Sequence, residues 1–324
     1  MHRARLVGPT RQTTRLRSLY AARRSQRPTP DLTVRPRVSI VVPVLHGEHH
    51  LESCLRSVLA QTFVDFELVI ADNASSDHTA EIISSFNDER IRLLPPVERT
   101  LDVHANWTRA VSAAGGELVK VVCHDDLLAP ECVEVQVGLL DDHPTAVLVA
   151  GRRRIIDDEG RVIIASRGLG RLLGDGNSRL LDGTGLVKRC VRDGSNLIGE
   201  PMNVLIRRSA LPDPLFDVRW RFCLDLEFYF RVLQGHDAVV DGRTLCSFRV
   251  SPKQMSASLA TVQAAELRAL FEETSQRVPD VTKVDVRIGS MRAHMLARAR
   301  GLLYRVMRVR ALLGSRTSPN RVAR

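Results

Sequence analysis

Apolar residues in the first half of the chain alternate between short continuous runs and helical spacing. Val38–Pro43 and Glu67–Ala71 are short runs rich in β-branched side chains, which predicts two buried strands. Between them, residues 48–61 carry leucine and valine at helical spacing. Further strands are predicted at 91–94 and 118–123, and further helices after residue 76, at 104–114 and from 130. This alternation predicts an α/β fold, a Rossmann-like and mostly parallel sheet with helices on both faces.

The second half of the chain has a less regular pattern. Residues 168–185 hold six glycines and predict a long surface loop. A strand is predicted within 201–208, a helix at 224–234, and two strands at 238–240 and 245–250. From about residue 264 to 313 the spacing is helical, which predicts a helical carboxyl-terminal tail.

Arginine is concentrated at the two ends of the chain. Residues 1–37 hold ten Arg and one acidic residue, and residues 291–324 hold nine Arg and no acidic residue. Each end therefore contributes +9 to a net charge of +10, which leaves −8 for residues 38–290. An acidic body does not offer the basic face by which folded domains bind nucleic acid, so no nucleic-acid partner is expected. Residues 1–37 lack apolar periodicity and are predicted to be disordered.

Cysteine usage and hydropathy bear on the compartment. The six cysteines form no Cys-x-x-Cys pair, and several lie in apolar runs, which is typical of reduced, buried thiols. No apolar stretch reaches the roughly 18–20 residues that span a bilayer. The basic amino terminus lacks the apolar segment of a signal peptide. We therefore expect a cytoplasmic location.

Two acidic clusters directly follow predicted strands. Asp72 ends the second strand with Asp77 shortly after it, and Asp125 and Asp126 follow the strand at 118–123. Ligands of parallel sheets bind at the carboxyl ends of the strands, so we expect these carboxylates at one edge. A hard cation such as Mg²⁺ or Mn²⁺ relieves the repulsion between adjacent carboxylates and contacts substrate phosphates. The alternatives are a helix cap for Asp77 and a solvated turn for the adjacent pair.

A third acidic cluster, Asp225 with Glu227, lies near the start of the mostly apolar helix predicted at 224–234. A carboxylate in this position is either a helix cap or a general base in a partly dry pocket. Three histidines flank the first strand-to-helix turn, but they lack partners at metal-ligand spacing. We expect them to be polar residues at the surface or at a pocket rim.

Six segments in order resemble family-two GT-A glycosyltransferases over about residues 38–255. They are Ser39-Ile-Val-Val-Pro-Val44, Asp72-Asn-Ala-Ser-Ser-Asp77, Asn106-Trp107 with Gly115-Gly-Glu117, Cys123-His-Asp-Asp-Leu-Leu-Ala-Pro130, Pro201-Met-Asn-Val-Leu-Ile-Arg-Arg208 and Asp225-Leu-Glu-Phe-Tyr-Phe-Arg231. The resemblance implies a GT-A fold and an inverting transfer of sugar from a nucleoside diphosphate sugar to an acceptor hydroxyl. Each motif is weak alone, and their shared order makes the resemblance specific.

Two departures from the family pattern concern the metal motif. The family's aspartate–any–aspartate triplet often begins with a carboxylate, and this chain has Cys123 there. His124 stands where many relatives carry a small or acidic residue. Either change could weaken or retune metal binding. The glutamine–arginine–tryptophan motif of processive synthases is absent from 225–262, which favours single addition.

The resemblance also implies roles for individual residues. Asp72 would hold the base or ribose of the donor. Asp125 with Asp126 would bind Mg²⁺ or Mn²⁺ across the diphosphate, and Asp225 would be the catalytic base. Arg249 would lie near the diphosphate, with a surface salt bridge as the alternative. The remaining donor-binding candidates are Pro43, Asn73, Asp77, Asn106 and Asp125.

Two other functions fit the same fold. A sugar nucleotidyltransferase would need a Gly-rich loop bearing Lys or Arg after the first strand, and Leu45–His50 lacks it. The other alternative is a non-catalytic GT-A-like binding protein, which the Cys123 departure motivates.

Domain organisation follows from these patterns. We expect a basic tail at 1–37, a GT-A domain at 38–256 with its nucleotide-sugar half at 38–135 and its acceptor half at 136–256, and a helical basic region at 257–324. From Met295 to Leu313 apolar residues recur at helical spacing between arginines, which resembles a helix that lies on an anionic membrane. The alternative is a tail helix packed on the body. The membrane hypothesis would place the protein peripherally on the inner face of the plasma membrane, beside lipid-linked or polysaccharide acceptors.

Overall fold

In the computed structural model the described residues are 35–169, 173, 176–251 and 262–314. They form ten strands and eight helices, with short 3-10 turns at Pro201–Asn203 and Arg208–Ala210. The strands are β1 Val38–Val44, β2 Phe66–Asp72, β3 Ile91–Leu93, β4 Leu118–Val121, β5 Leu127–Leu128, β6 Ala146–Ile156, β7 Val162–Arg167, β8 Ser178–Asp182, β9 Val204–Arg207 and β10 Asp237–Arg249. The helices are α1 Leu51–Leu59, α2 Thr79–Ser85, α3 Val103–Ser112, α4 Cys132–Asp142, α5 Gly183–Asp193, α6 Leu224–Val232, α7 Gln263–Arg277 and α8 Lys283–Gly314.

The first half of the chain builds the parallel part of the sheet. The strand order is β3-β2-β1-β4, and all three of these pairings are parallel. Every residue of β1 is buried, as expected for a strand that has helices on both faces. The strands predicted from the apolar runs are therefore confirmed.

The second half adds antiparallel pairings to the same sheet. β9 lies antiparallel between β4 and β6, and β10 runs parallel to β6. The two strands predicted at 238–240 and 245–250 are one strand, β10, whose register with β6 shifts after Val240 and again after Thr244. Within this irregular stretch, buried Asp241 pairs with Arg243 at 2.9 Å. The polar interruption is thus a bulged part of a continuous strand.

The prediction of a glycine-rich loop at 168–185 is wrong from residue 178 onward. Residues 178–182 form β8, antiparallel to β10, and α5 begins at Gly183. Asp182 caps this helix by accepting a hydrogen bond from the Gly185 amide at 2.7 Å. A Cβ at Gly183 would lie 2.2 Å from the His236 carbonyl oxygen. This glycine permits close packing, whereas the prediction attributed it to a loop. Residues 170–172, 174 and 175 lie outside the described residues.

Helices cover both faces of the sheet, which confirms the α/β prediction. Helices α1, α2 and α4 pack on one face, around residues such as Leu55, Ile83 and Leu140. Helices α3, α5, α6 and α7 pack on the other, where Phe228 and Phe271 are buried.

The predicted carboxyl-terminal helical run is two helices separated at Val278–Thr282. Helix α8 packs against α5 so closely that a Cβ at Gly289 would lie 1.8 Å from the Val191 carbonyl oxygen. Among the described residues, no helix has both the length and the hydrophobicity needed to cross a bilayer. Residues 1–34 of the tail predicted at 1–37 lie outside the described residues. The domain boundary at 256 stays a prediction.

Candidate active site

The loops after β1 and β2 form one edge of the site and are tied to each other by hydrogen bonds. His46 and Ala74 both have left-handed backbone conformations, with φ of 55° and 58°. The His46 amide donates to Ser75 Oγ at 2.9 Å, and the Glu48 amide donates to Asp77 Oδ2 at 3.0 Å. Two non-glycine residues in this sparsely populated region indicate that the loop pair is held in a single, defined shape.

Asp77 is a structural element of this loop pair. Its Oδ1 accepts hydrogen bonds from the Thr79 amide at 3.1 Å and from Thr79 Oγ1 at 2.5 Å, at the start of α2. These bonds lower the pKa of Asp77 although partial burial opposes them. Asp77 thus bonds the first residue of α2 from one position before the N-cap, His78, and its predicted contact with the donor stays a prediction.

Asp72 ends β2 inside the sheet edge and is 4% exposed. Its carboxylate accepts hydrogen bonds from Ser75 Oγ at 2.5 Å and from the Ser75 amide at 3.3 Å. Burial raises the pKa of Asp72, while the Ser75 bonds and the charge of Arg109 oppose that rise. The result is a desolvated carboxylate beside the loop pair.

Asn73 and Asn106 are buried and bonded to the backbone. Asn73 Nδ2 donates to the Leu101 carbonyl at 2.9 Å, and the Leu101 amide donates back to Asn73 Oδ1 at 2.8 Å. Asn106 Nδ2 donates to the Ala71 carbonyl at 3.1 Å. Pro43 is also buried, within β1. The two asparagines fix the strand ends, and the predicted donor contacts of all three residues stay predictions.

A metal-ligand group follows β4. The ligand atoms of Cys123, Asp125 and Asp126 all lie within 4.8 Å of one another. Asp126 is fully buried, and the Arg249 amide donates to its Oδ1 at 3.1 Å. Its other oxygen, Oδ2, is buried without a hydrogen-bond partner. Burial raises the pKa of Asp126 well above its usual range, and the neighbouring Asp125 raises it further. A divalent cation would satisfy this oxygen and relieve the repulsion.

Arg249 is a buried side chain beside this group. It is 4% exposed, so the surface salt bridge considered above is wrong. Its guanidinium donates to the carbonyl oxygens of Asp125, Asp157 and Asp158 at 2.8–2.9 Å. Together with the hydrogen bond from the Arg249 backbone amide to Asp126, these contacts fix both adjacent aspartates. The predicted position of Arg249 near the diphosphate stays a prediction.

Asp225 lies in the first turn of α6, close enough to Cys123 of the metal-ligand group for the two to interact electrostatically. Its Oδ2 accepts a hydrogen bond from Asn196 Nδ2 at 2.9 Å, and its Oδ1 accepts one from the Leu226 amide at 2.8 Å. Burial raises the pKa of Asp225 to about 6, although these bonds and the charge of Arg153 oppose the rise. A carboxyl group with this pKa can take up a proton near neutral pH.

Glu227, two residues further along α6, has a different environment. Both of its oxygens accept hydrogen bonds from Arg231, at 2.6 and 2.8 Å, across one turn of the helix. Arg231 also donates to the Leu215 carbonyl at 2.9 Å. Glu227 therefore holds a partly buried arginine in place, and Asp225 is the carboxylate of this cluster that is available as a base.

The sequence patterns missed the residues that support Asp225. Asn196 and Glu200 belong to the loop before β9, and Glu200 forms an ion pair with buried Arg153 of β6. Gly199 between them has a φ of 114°, and a Cβ there would lie 2.6 Å from Asn203 Nδ2. The one available signal was the Arg152-Arg153-Arg154 run inside an apolar stretch. Charged residues in a buried strand need partners.

A small cleft opens beside Asp225. Its lining is mostly apolar and includes Trp107, Val121, Pro201, Phe216 and Tyr229. Among the described residues that line the cleft, only Asp225 has a charged side chain. An apolar cleft with one carboxylate suits a neutral ligand that presents a proton to that group.

Comparisons with known proteins agree with this geometry. The model of Glycosyl transferase family 2 matches residues 39–213. An uncharacterised protein of Mycobacterium tuberculosis is 32% identical over 208 residues, covering 61% of this chain and 62% of that protein. The Escherichia coli UDP-Glc:alpha-D-GlcNAc-diphosphoundecaprenol beta-1,3-glucosyltransferase WfgD is 31% identical over 103 residues, covering 32% of this chain and 40% of WfgD. The chain thus spans less than two thirds of these relatives.

A solved structure supports the fold. The mannosyltransferase PcManGT from Pyrobaculum calidifontis, in complex with GDP-Man and Mn²⁺, superposes with a TM-score of 0.57 at 20% identity. The match covers 94% of this chain and 84% of that one. The family match spans more than half of the 324 residues, from β1 into the loop after β9. The chain has the GT-A fold and belongs to glycosyl transferase family 2.

Proposed function

We propose that this protein is an inverting glycosyltransferase that moves a sugar from a nucleoside diphosphate sugar to an acceptor hydroxyl. The observation that carries the proposal is Asp225, a buried carboxylate with a pKa of about 6 that lines a cleft and interacts electrostatically with Cys123 of the metal-ligand group. This arrangement supplies a proton acceptor and an anion-binding cation site within one edge of the sheet. Family membership supports the same reaction.

The donor's nucleoside would occupy the edge formed by the loops after β1 and β2. Asp72 would accept hydrogen bonds from the base or ribose, and its position at the end of β2, on this edge, supports that role. Asn73, Asp77 and Asn106 would act mainly by holding the loops, and Pro43 by closing the end of β1. The hydrogen bonds that Asn73, Asp77 and Asn106 make with the backbone support this structural role.

The diphosphate would be held through Mg²⁺ or Mn²⁺ bound by Asp125 and Asp126. The unpartnered buried Oδ2 of Asp126 fits such an ion, and PcManGT provides a Mn²⁺ precedent on the same fold. A bound divalent cation neutralises the charge that develops on the departing nucleotide. Arg249 fixes the two aspartates by hydrogen bonds, from its backbone amide to Asp126 and from its guanidinium to the Asp125 carbonyl.

Asp225 would remove the proton from the acceptor hydroxyl as the oxygen attacks the anomeric carbon. Because the attack displaces the nucleotide directly, the anomeric configuration inverts and the enzyme forms no covalent intermediate. Asn196 orients the carboxylate, and the apolar cleft excludes water that would compete with the acceptor. Positioning and electrostatics then supply most of the rate.

The acceptor would be a glycan or a lipid-linked sugar on the cytoplasmic side of the membrane. The name of WfgD, which describes a diphosphoundecaprenol-linked acceptor, supports a lipid-linked substrate. The strongly basic residues 291–324 support a peripheral position at an anionic membrane. A role in cell-envelope glycan synthesis follows from both.

A nucleotide-sugar screen tests the proposed function. Purified full-length protein is heated with single nucleotide sugars, with and without Mn²⁺, because a true donor stabilises the folded state by mass action. The stabilising donor is then incubated with acceptors and release of nucleoside diphosphate is measured. We expect one donor class to raise the melting temperature, and to be turned over.

Asp125→Asn is the matched variant for the screen. It should retain the fold but lose both metal-dependent donor binding and turnover, because the ligand group loses a charged oxygen. Wild-type-like transfer by Asp125→Asn would overturn the metal assignment. Donor binding by the wild type without any transfer or hydrolysis would instead favour the non-catalytic alternative.

A further inference from the structure

Cys123 differs from the other cysteines of this chain in its surroundings. All six cysteines lie in the described residues and are free thiols; five are buried, and Cys123 is partly exposed. It follows the last residues of β4 and contributes its sulfur to the same ligand group as Asp125 and Asp126. A partly exposed thiol among carboxylates is not explained by core packing.

We propose that Cys123 Sγ is a metal ligand, and that the resulting sulfur–oxygen site selects a thiophilic divalent transition ion over Mg²⁺. The proposal rests on the metal role given to Asp125 and Asp126 in the proposed function, and it goes further by naming a third ligand and the class of ion. The geometry that carries it is the closeness of the three ligand atoms, within 4.8 Å of one another.

These distances suit a single shared ion. With metal–ligand distances of about 2.0 Å to oxygen and 2.3 Å to sulfur, the neighbouring ligand atoms of one tetrahedral or octahedral ion lie roughly 2.8–3.5 Å apart. The three groups therefore need to approach one another by up to about 2 Å, a shift that a change of side-chain rotamer supplies. The backbone on both sides is already fixed, because the Asp126 amide donates to the Cys123 carbonyl at 3.1 Å.

A second observation points to a ligand at this position. Asp126 is fully buried, and its Oδ2 has no hydrogen-bond partner. A buried carboxylate oxygen without a partner is costly, and an ion held jointly with Cys123 and Asp125 satisfies it. Cys54, the thiol next to the group, instead donates to the Cys123 carbonyl at 3.5 Å and lies outside the ligand set.

The identity of the third ligand decides which ions bind well. Mg²⁺ prefers an octahedral shell of oxygen atoms and gains little from sulfur. Thiolate ligands favour softer ions, and for mixed nitrogen, oxygen and sulfur sites affinity rises from Mn²⁺ through Co²⁺. Replacing a carboxylate by Cys123 therefore shifts the preference of the site toward Mn²⁺, Co²⁺ and Zn²⁺.

Cobalt absorption tests the proposal without relying on activity. Full-length protein is titrated with Co²⁺, alone and with UDP, and the near-ultraviolet sulfur-to-cobalt charge-transfer band is recorded. We expect the wild type and Cys54→Ser to give this band, and Cys123→Ser to lose it. Asp125→Asn should weaken the cobalt binding that produces the band. Circular dichroism and melting temperature check that each variant is folded.

The outcomes separate this inference from the proposed function. Cobalt binding without the band in the wild type, or an undiminished band in folded Cys123→Ser, overturns the sulfur ligand and leaves sugar transfer standing. Cys123→Asp should lose the band and bind Mg²⁺ more tightly than the wild type by isothermal titration; unchanged preference also overturns the inference. Full transfer by the wild type in excess EDTA would remove the metal role itself.

Discussion

At the scale of single residues, burial gives three aspartates different chemistry. Burial raises the pKa of each of Asp72, Asp126 and Asp225, but the neighbours differ. Arg153 lowers the pKa of both Asp126 and Asp225, but Asp126 also faces a second carboxylate, whereas Asp225 accepts a hydrogen bond from an asparagine amide. Asp126 therefore favours a cation as its partner, and Asp225 remains a titratable group with a pKa of about 6, close to working pH.

Asp225→Asn should separate catalysis from binding. The amide keeps the size of the side chain but cannot accept the acceptor's proton, so kcat should fall by roughly 10²–10⁴-fold, the usual share of general-base catalysis. The affinity for the donor should stay within about threefold of the wild type. Steady-state rates and donor titration measure the two quantities.

Glu227→Gln is the control on the same helix. Glu227 pairs with Arg231, so this change should lower the melting temperature and leave kcat of the folded protein close to wild type. An equal loss of kcat in both variants, or a collapse of donor binding in Asp225→Asn, would make Asp225 a structural residue.

The pH profile should report the hydrogen bond from Asn196 to Asp225. The base acts in its deprotonated form, so kcat/KM of the wild type should fall as the pH drops through about 6. Asn196→Asp replaces a donor 2.9 Å from Asp225 Oδ2 by a second carboxyl group. Like charges oppose ionisation, so the acidic limb should move to higher pH by at least about one unit.

Asn177→Asp makes the same chemical change at an exposed position outside the site. Its pH profile should overlay that of the wild type. An unmoved acidic limb in Asn196→Asp would show that Asp225 does not set the observed pH dependence.

The sequence indicated part of this site. Asp72, Asp125 and Asp126 were predictable because they directly follow apolar strands, and strand ends meet at one edge of a parallel sheet. Asn196, Glu200 and Arg153 were not, because long-range folding brings the loop before β9 and a residue of β6 to helix α6. The spacing of residues along the chain does not predict contacts between segments this far apart in sequence. The bonds of Arg249 to three carbonyls were hidden for the same reason.

At the scale of elements, glycines mark close packing as well as loops. Gly183 begins α5 against the His236 carbonyl, and Gly289 lies in α8 against the Val191 carbonyl. The first half of the fold was predictable because its strands are continuous apolar runs. In the second half β9, α6 and β10 were also predictable, but β7, β8 and α5 were not, because β7 and β8 are mostly exposed strands and α5 begins among glycines. Their structure depends on tertiary contacts more than on local pattern.

Gly289→Ala should loosen α8 from α5. The added methyl group would lie 1.8 Å from a backbone oxygen, so the helix must shift, with an expected loss of about 3 kcal/mol in the free energy of unfolding. Gly301→Ala, on the same helix, meets nothing within 4 Å and should stabilise it by up to about 1 kcal/mol. Urea denaturation measures both. A neutral Gly289→Ala would contradict the close helix contact.

At the scale of the whole molecule, charge is divided between an acidic body and basic ends. The α8 residues that face the body include Ala293, which is buried, whereas Met291 and Met295 are 61% and 62% exposed. Met295 and Ala299 begin the apolar series that continues to Leu313, and both are exposed. The first residues of that series therefore do not pack on the body. The side chains of residues 302–314 lie outside the described part of the chain.

Full-length protein should bind anionic vesicles through residues 300–324. Each arginine near an anionic surface contributes about 1 kcal/mol, and an apolar helix face adds insertion into the interface. In co-sedimentation with phosphatidylglycerol vesicles at low salt, the full chain should pellet, and a chain ending at Ala299 should stay in the supernatant. Ending at Ala299 keeps the buried Ala293 contact, so loss of binding cannot be ascribed to unfolding of the body.

Two further measurements complete the test: the dependence of binding on salt, and the effect of removing the basic amino-terminal residues. High salt should release the full chain, because screening shortens the range of surface electrostatics, and neutral phosphatidylcholine vesicles should not retain it. A chain that begins at Arg35 removes most of the amino-terminal arginines and should still pellet, since the apolar series lies at the other end. If the chain ending at Ala299 binds as well as the full chain, or if neither binds at low salt, the membrane hypothesis is wrong. The assignment to glycosyl transferase family 2 does not depend on that result, because the matched residues 39–213 precede the tail.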